Sequence, residues 1–139
     1  MPQETVGAVL PDIVVGIDTH KDVHVAVAVD QLGRCLGTYH LPASSTGYQA
    51  LEVWAQALGK VAAFGVEGTG GYGAGLAWHL QSRSNVVIEV SRPDRAARRR
   101  RGKSDPIDAE LAARAVLGGT ATGLAKAGSE SIEALRTLK

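Results

Sequence analysis

Cysteine is almost absent from this sequence, aromatic residues are scarce, and no long apolar run occurs. Cys35 is the single cysteine in 139 residues. No internal disulfide can form, which fits a reducing, cytoplasmic compartment. One thiol and four scattered histidines also argue against a structural zinc site. Aromatics make up 4% of a chain that is 45% hydrophobic, so Ala, Val and Leu must build the core. No stretch approaches the ~20 apolar residues of a membrane span. The amino terminus lacks the basic region, apolar stretch and cleavage site of a secretory signal. The expectation is one domain with a modest core and no membrane partner.

The net charge of +1 conceals an asymmetry. Arg92, Arg95, Arg98, Arg99, Arg100, Arg101 and Lys103 stand within twelve residues, with Asp94 the single acid among them. The rest of the chain is therefore acidic on balance. A concentrated basic block on such a domain is a polyanion-binding footprint. The plainer alternative is a solvated basic helix or a localisation-like tract.

Met1 to Pro11 reads as a loose leader. Val14-Val15-Gly16-Ile17-Asp18 is a short apolar run ending in a carboxylate. Val23, Val25, Val27 and Val29 then alternate with smaller or polar residues, the period of a strand. With only Thr19-His20-Lys21 between them, the two segments should pair as an antiparallel hairpin with Asp18 at its turn end. Arg34 to Leu41 is a third strand. Thr46 is the expected N-cap of a helix through about Leu58, with Leu51, Trp54, Ala55 and Leu58 inward and Gly59 as its stop. Trp54 reads as core. Val61 to Glu67 is a fourth strand, which ends in a carboxylate as the first one does.

Gly68-Thr69-Gly70-Gly71-Tyr72-Gly73 leads into a helix with Leu76, Ala77 and Leu80 inward, and Val86 to Val90 is a fifth strand. The glycines match neither the dinucleotide nor the P-loop pattern, so a tight turn beside Glu67 is the better reading. A meander followed by strand–helix–strand units predicts a mixed α/β sheet with right-handed parallel crossovers. Another helix, beginning near Asp105, is expected to bury a stripe of Ile107, Leu111 and Ala115. Residues 12–117 would form the domain, 118–128 a linker rich in Gly, Ala and Thr, and 129–139 the start of a further helix.

Four acidic residues are candidates for chemistry: Asp18, Glu67, Asp105 and Asp108. Each has a structural reading. Asp18 suits a turn, and Asp105-Pro106-Ile107-Asp108 is a capping-box-like helix start. Yet a spacing of three also puts Asp105 and Asp108 on one helix face, ~5–6 Å apart. Four converging carboxylates would repel one another unless divalent cations offset them, and oxygen ligands favour Mg²⁺ or Mn²⁺. Paired ions of that kind serve phosphodiester displacement. The adjacent basic block would hold the nucleic-acid backbone. His20, Lys21 and His24 lie close to Asp18 in sequence, where a basic group could meet a phosphate.

These residues carry a family likeness. Gly16-Ile17-Asp18-Thr19-His20-Lys21-Asp22-Val23-His24-Val25-Ala26-Val27 resembles the opening strand pair of the DEDD transposases of bacterial insertion sequences, whose N-terminal domain is RuvC-like. Glu67-Gly68-Thr69-Gly70-Gly71-Tyr72 resembles that family's second acidic motif. Gly102-Lys103-Ser104-Asp105-Pro106-Ile107-Asp108-Ala109 resembles its paired-Asp motif. The likeness runs from about Ile13 to Leu117. It implies a ribonuclease H-like fold and an acidic tetrad of Asp18, Glu67, Asp105 and Asp108 holding Mg²⁺ or Mn²⁺. The activity implied is DNA transposition through metal-dependent strand cleavage and exchange. The implied partners are DNA, a structured guide RNA and further copies of the full-length protein.

Relatives continue through a coiled-coil region into a domain with a catalytic serine. This chain ends within what reads as the first helix of that connection, so a truncated product or excised domain without autonomous transposition is expected. Two other readings remain open on the sequence. One is a nucleic-acid-binding fragment that keeps Arg92 to Lys103 but cleaves nothing. The other is half of an actin-like kinase or ATPase, which also places an Asp at the end of its first strand.

Overall fold

Two apolar runs that end in carboxylates, and the valine alternation after the first, dictate a mixed five-stranded sheet. The computed structural model describes residues 12–91 and 105–119. The elements in order are β1 (Asp12–Asp18), β2 (Val23–Asp30), β3 (Cys35–Pro42), α1 (Ser45–Leu58), β4 (Lys60–Glu67), α2 (Ala74–Ser82), β5 (Val87–Val90) and α3 (Asp105–Leu117). Across the sheet the strands run β3-β2-β1-β4-β5. The first three form the expected antiparallel meander, with Asp18 opposite Val25 and His24 opposite Leu41. β4 returns parallel to β1, pairing Val66 with Ile17, and β5 is parallel to β4. This is the mixed α/β sheet anticipated from the sequence, a three-strand antiparallel meander followed by parallel crossovers.

β1 is the middle strand and is covered on both faces, which is why it reads as a continuous apolar run. Ile13, Val15 and Ile17 face α1 and α2, where they join Phe64, Val66, Leu51, Ala55, Leu76 and Leu80. Val14, with Val25, Val27 and Val29 of β2, faces Ala109 and Ala113 of α3. Trp54 is core-packed as expected, stacked on Tyr39 with ring centroids 5.3 Å apart. Glu52 is a buried acid of α1 that binds three groups of the α2 region. Its carboxylate accepts from Asn85 Nδ2 at 2.8 Å, Arg83 Nε at 2.7 Å and His79 Nε2 at 3.1 Å.

Two expectations need correction. The N-cap of α1 is Ser44, not Thr46: the Ser44 hydroxyl accepts the Gly47 N–H, as an N-cap should for the third helical residue. The buried face of α3 is not the stripe of Ile107, Leu111 and Ala115. Ile107 and Leu111 are exposed, and Asp108, Ala109, Ala112 and Ala113 point inward instead. The cause lies in the sheet beneath the helix, where Gly16 and Gly65 let it approach closely. The leader (1–11), the basic residues Arg92 to Lys103, nearly all of the linker and the final segment (129–139) lie outside the described residues. Among the described residues, no helix is long and apolar enough to cross a membrane.

Candidate active site

β1 and β4 end alike, in Gly16-Ile17-Asp18 and Gly65-Val66-Glu67. Gly16 is registered with Gly65 and Ile17 with Val66, so Asp18 and Glu67 are the next residues along two paired strands. Such strands lie ~4.8 Å apart. Both acids fall two residues beyond their glycines and therefore on the α3 side of the sheet. Both are buried, at 1% and 4% exposure.

Local hydrogen bonds hold the two strand ends together. The buried Thr19 hydroxyl donates to the Glu67 carbonyl at 2.7 Å. The chain then turns at Gly68, whose φ of 84° favours glycine. The Gly68 carbonyl accepts the N–H groups of both Gly71 and Gly73 at 2.9 Å. The Gly-rich segment is thus the tight turn expected beside Glu67.

The two glycines also set the height of α3. A Cβ on Gly16 would fall inside the helix backbone, overlapping Ala109 O and Ala113 N and lying 2.9 Å from Ala113 Cα. On Gly65 it would lie 2.6 Å from Val116 Cγ2 and 3.2 Å from Ala112 O. The helix therefore lies directly on the β1–β4 backbone. Only Ala109, Ala112 and Ala113 fit beneath it, and the larger Ile107 and Leu111 turn outward.

The C-terminal end of α3 reaches the beginning of β1, where Leu117 shares a pocket with Asp12, Ile13 and Val14. Its N-terminal end consequently lies at the Asp18–Glu67 end. Four helical residues, ~6 Å, lead back from Ala112 to Asp108. Two strand residues, ~6.6 Å, lead on from Gly65 to Glu67. Asp108 accordingly comes down at the level of Glu67, and it is 1% exposed. The positive end of the helix dipole lies at this same end and favours negative charge there. Asp105 begins the helix three residues earlier, and its side chain lies outside the described residues.

Asp18 itself is engaged by His20, whose Nε2–H donates to Oδ2 at 2.9 Å. The His20 backbone N–H donates in turn to Nδ1 of His24 at 3.2 Å. Of the three basic residues beside Asp18, only His20 is thus directed at it. Lys21 is exposed, and His24 is buried on the opposite face, stacked on Tyr48 at 6.2 Å. Burial holds the His24 pKa below its ordinary value and raises that of Tyr48.

Among the described residues, no three His, Cys, Asp or Glu side chains are grouped so as to hold a metal ion. The chemistry of the donors nonetheless suits a hard divalent cation. Asp18, Glu67 and Asp108 are buried carboxylates at one end of the domain, and carboxylates so placed are costly without a compensating charge. Sequence reasoning missed Thr19 and the close seat of α3. The signal available for the second was the repeat of Gly-x-acid at two strand ends, with Ala109, Ala112 and Ala113 at helical spacing.

In comparisons with known proteins, the model of the IS110-type DEDD transposases, described as transposase, matches residues 15–139. None of the curated proteins matches the chain. Among solved structures, T. thermophilus RuvC in complex with a Holliday junction substrate is similar over 73% of this chain and 89% of that one, at 15% identity and a TM-score of 0.47. The reading as half of a kinase or ATPase is not supported by the family match. With a match over nearly its whole length, this chain belongs to the IS110-type family of DEDD transposases.

Proposed function

We propose that this chain carries the metal-dependent DNA strand cleavage and exchange domain of an insertion-sequence transposase. The observation that supports it most is the pairing of Asp18 and Glu67 at neighbouring strand ends, with Asp108 buried at the same end of α3. In this reading Asp18, Glu67, Asp105 and Asp108 hold Mg²⁺ or Mn²⁺. When bound, such ions supply Lewis-acid stabilisation of the attacking and leaving oxygens in phosphodiester displacement. The chain's own part is to hold its ligands still. Asp18 and Glu67 ride on paired backbone tied by the Thr19 hydroxyl, and Asp108 rides on a helix seated against two glycines. Arg92, Arg95, Arg98, Arg99, Arg100, Arg101 and Lys103, just before the paired-Asp motif, bind the DNA backbone. A structured guide RNA and other copies of the full-length protein complete the working assembly.

The test measures binding of labelled duplex and four-way DNA across a salt series, and Mn²⁺-dependent nicking. Binding is expected to weaken as salt rises. Replacing Arg98 through Arg101 by Ala should flatten the log–log slope by about 0.9 for each phosphate no longer neutralised. Nicking is expected to require both Mn²⁺ and Asp18. Salt-dependent binding without cleavage would favour the non-catalytic nucleic-acid-binding alternative, and no binding at any salt would contradict both.

A further inference from the structure

We propose that His20 is a positioning residue that competes with a divalent cation for Asp18, so that loading the site requires its imidazole to swing aside. The inference rests on the reading of Asp18 as a cation ligand. His20 Nε2 stands 2.9 Å from Asp18 Oδ2, and the Asp18 side chain is 2% exposed. A ring N–H at that distance occupies one approach to the oxygen, so a cation can reach that lone pair only if the ring moves.

The two parts of His20 are held differently. Its backbone N–H is anchored on Nδ1 of His24, which is fully buried on β2. Its side chain is 39% exposed, so solvent borders the ring on one side. The anchored backbone returns the ring to the same carboxylate each time. With the ring directed at Asp18, Asp18 and Glu67 stand at adjacent strand ends. The arrangement holds the Asp18 carboxylate in one orientation until a cation displaces the ring.

Calorimetric titration of the whole chain with Mn²⁺ alone tests this, using wild type, His20→Ala, His20→Gln and Asp18→Asn. His20→Ala is expected to bind Mn²⁺ about threefold to tenfold more tightly, the scale of one lost hydrogen bond. His20→Gln keeps a donor of similar reach and should stay within about twofold of wild type. Asp18→Asn should abolish binding. In the wild type, saturating Mg²⁺ should shift the His20 ring resonances while those of His79 stay in place.

Equal or weaker Mn²⁺ binding by His20→Ala, with wild-type binding intact, would overturn the competition and leave the cation reading standing. Absence of binding in every form would remove both. Should His20→Ala fail to fold, the wild-type resonances decide: a His20 ring unmoved by saturating Mg²⁺ overturns the proposal.

Discussion

Replacing Gly16 by alanine should be among the most damaging small changes in the domain. The new methyl would meet Ala109 O, Ala113 N and Ala113 Cα, all of them helix backbone. Ordinary carbon contacts lie at ~3.5–4 Å. With Ala113 Cα at 2.9 Å and the other two atoms nearer, α3 must retreat as a body. Overpacking of this kind costs about 1–3 kcal/mol, and a clash with backbone that no rotamer can relieve belongs at the upper end. We expect about 3 kcal/mol, on the order of a 10 °C fall in Tm for a domain of this size.

Two other glycines calibrate the effect. Gly65→Ala meets the Val116 Cγ2 methyl at 2.6 Å and one backbone atom, Ala112 O, at 3.2 Å, a milder overlap than at Gly16, and should cost about 1–2 kcal/mol. Gly70→Ala meets nothing within 4 Å and should fall within about 0.5 kcal/mol of wild type. Urea unfolding followed by circular dichroism would rank the three by their midpoints at constant slope. Gly16→Ala as stable as Gly70→Ala would refute the close seating of α3.

Further expectations concern single groups. Thr19→Val removes the hydroxyl that the Glu67 carbonyl accepts and should lower unfolding stability by about 1–2 kcal/mol, with no loss in urea unfolding as the contrary result. Glu52→Ala leaves Asn85, Arg83 and His79 without their shared carboxylate and should cost about 3 kcal/mol, whereas a neutral effect on thermal unfolding would show that the buried acid does not hold α1 to α2. Because burial lowers the His24 pKa, the unfolded chain takes up that proton first on acidification. Its contribution to stability is therefore complete above about pH 6.5 and falls away below that value. An NMR titration of the His24 ring should give a midpoint under 6.5, and a midpoint above it would contradict the burial argument.

The sheet was legible because its signals are local. Valines at period two marked β2, and unbroken apolar runs marked β1 and β4 as buried on both faces. The strand-end acids followed from the same boundaries. The face of α3 was misread because hydrophobic periodicity weights Ile107 and Leu111 over alanine. Here the seat is set by two glycines on other elements, a long-range constraint absent from the helix's own pattern. Ser44 and Thr46 are both competent caps, and Pro42 just upstream does not choose between them. The selection of Ser44 is made by the hydroxyl that actually reaches the Gly47 N–H. Nothing local marks Thr19 either, since its partner is 48 residues away.

The most direct test of the central claim is thermal unfolding of the chain with and without Mn²⁺, for wild type, Asp18→Asn, Glu67→Gln and Asp105→Asn. A cation that binds only the folded state stabilises it by about 2.7 kcal/mol at one hundred times its dissociation constant. The account predicts a Mn²⁺-dependent rise in Tm for wild type that disappears in all three variants. A wild-type Tm indifferent to Mn²⁺, or a rise that survives the loss of Asp18, would contradict a shared carboxylate site for the cation.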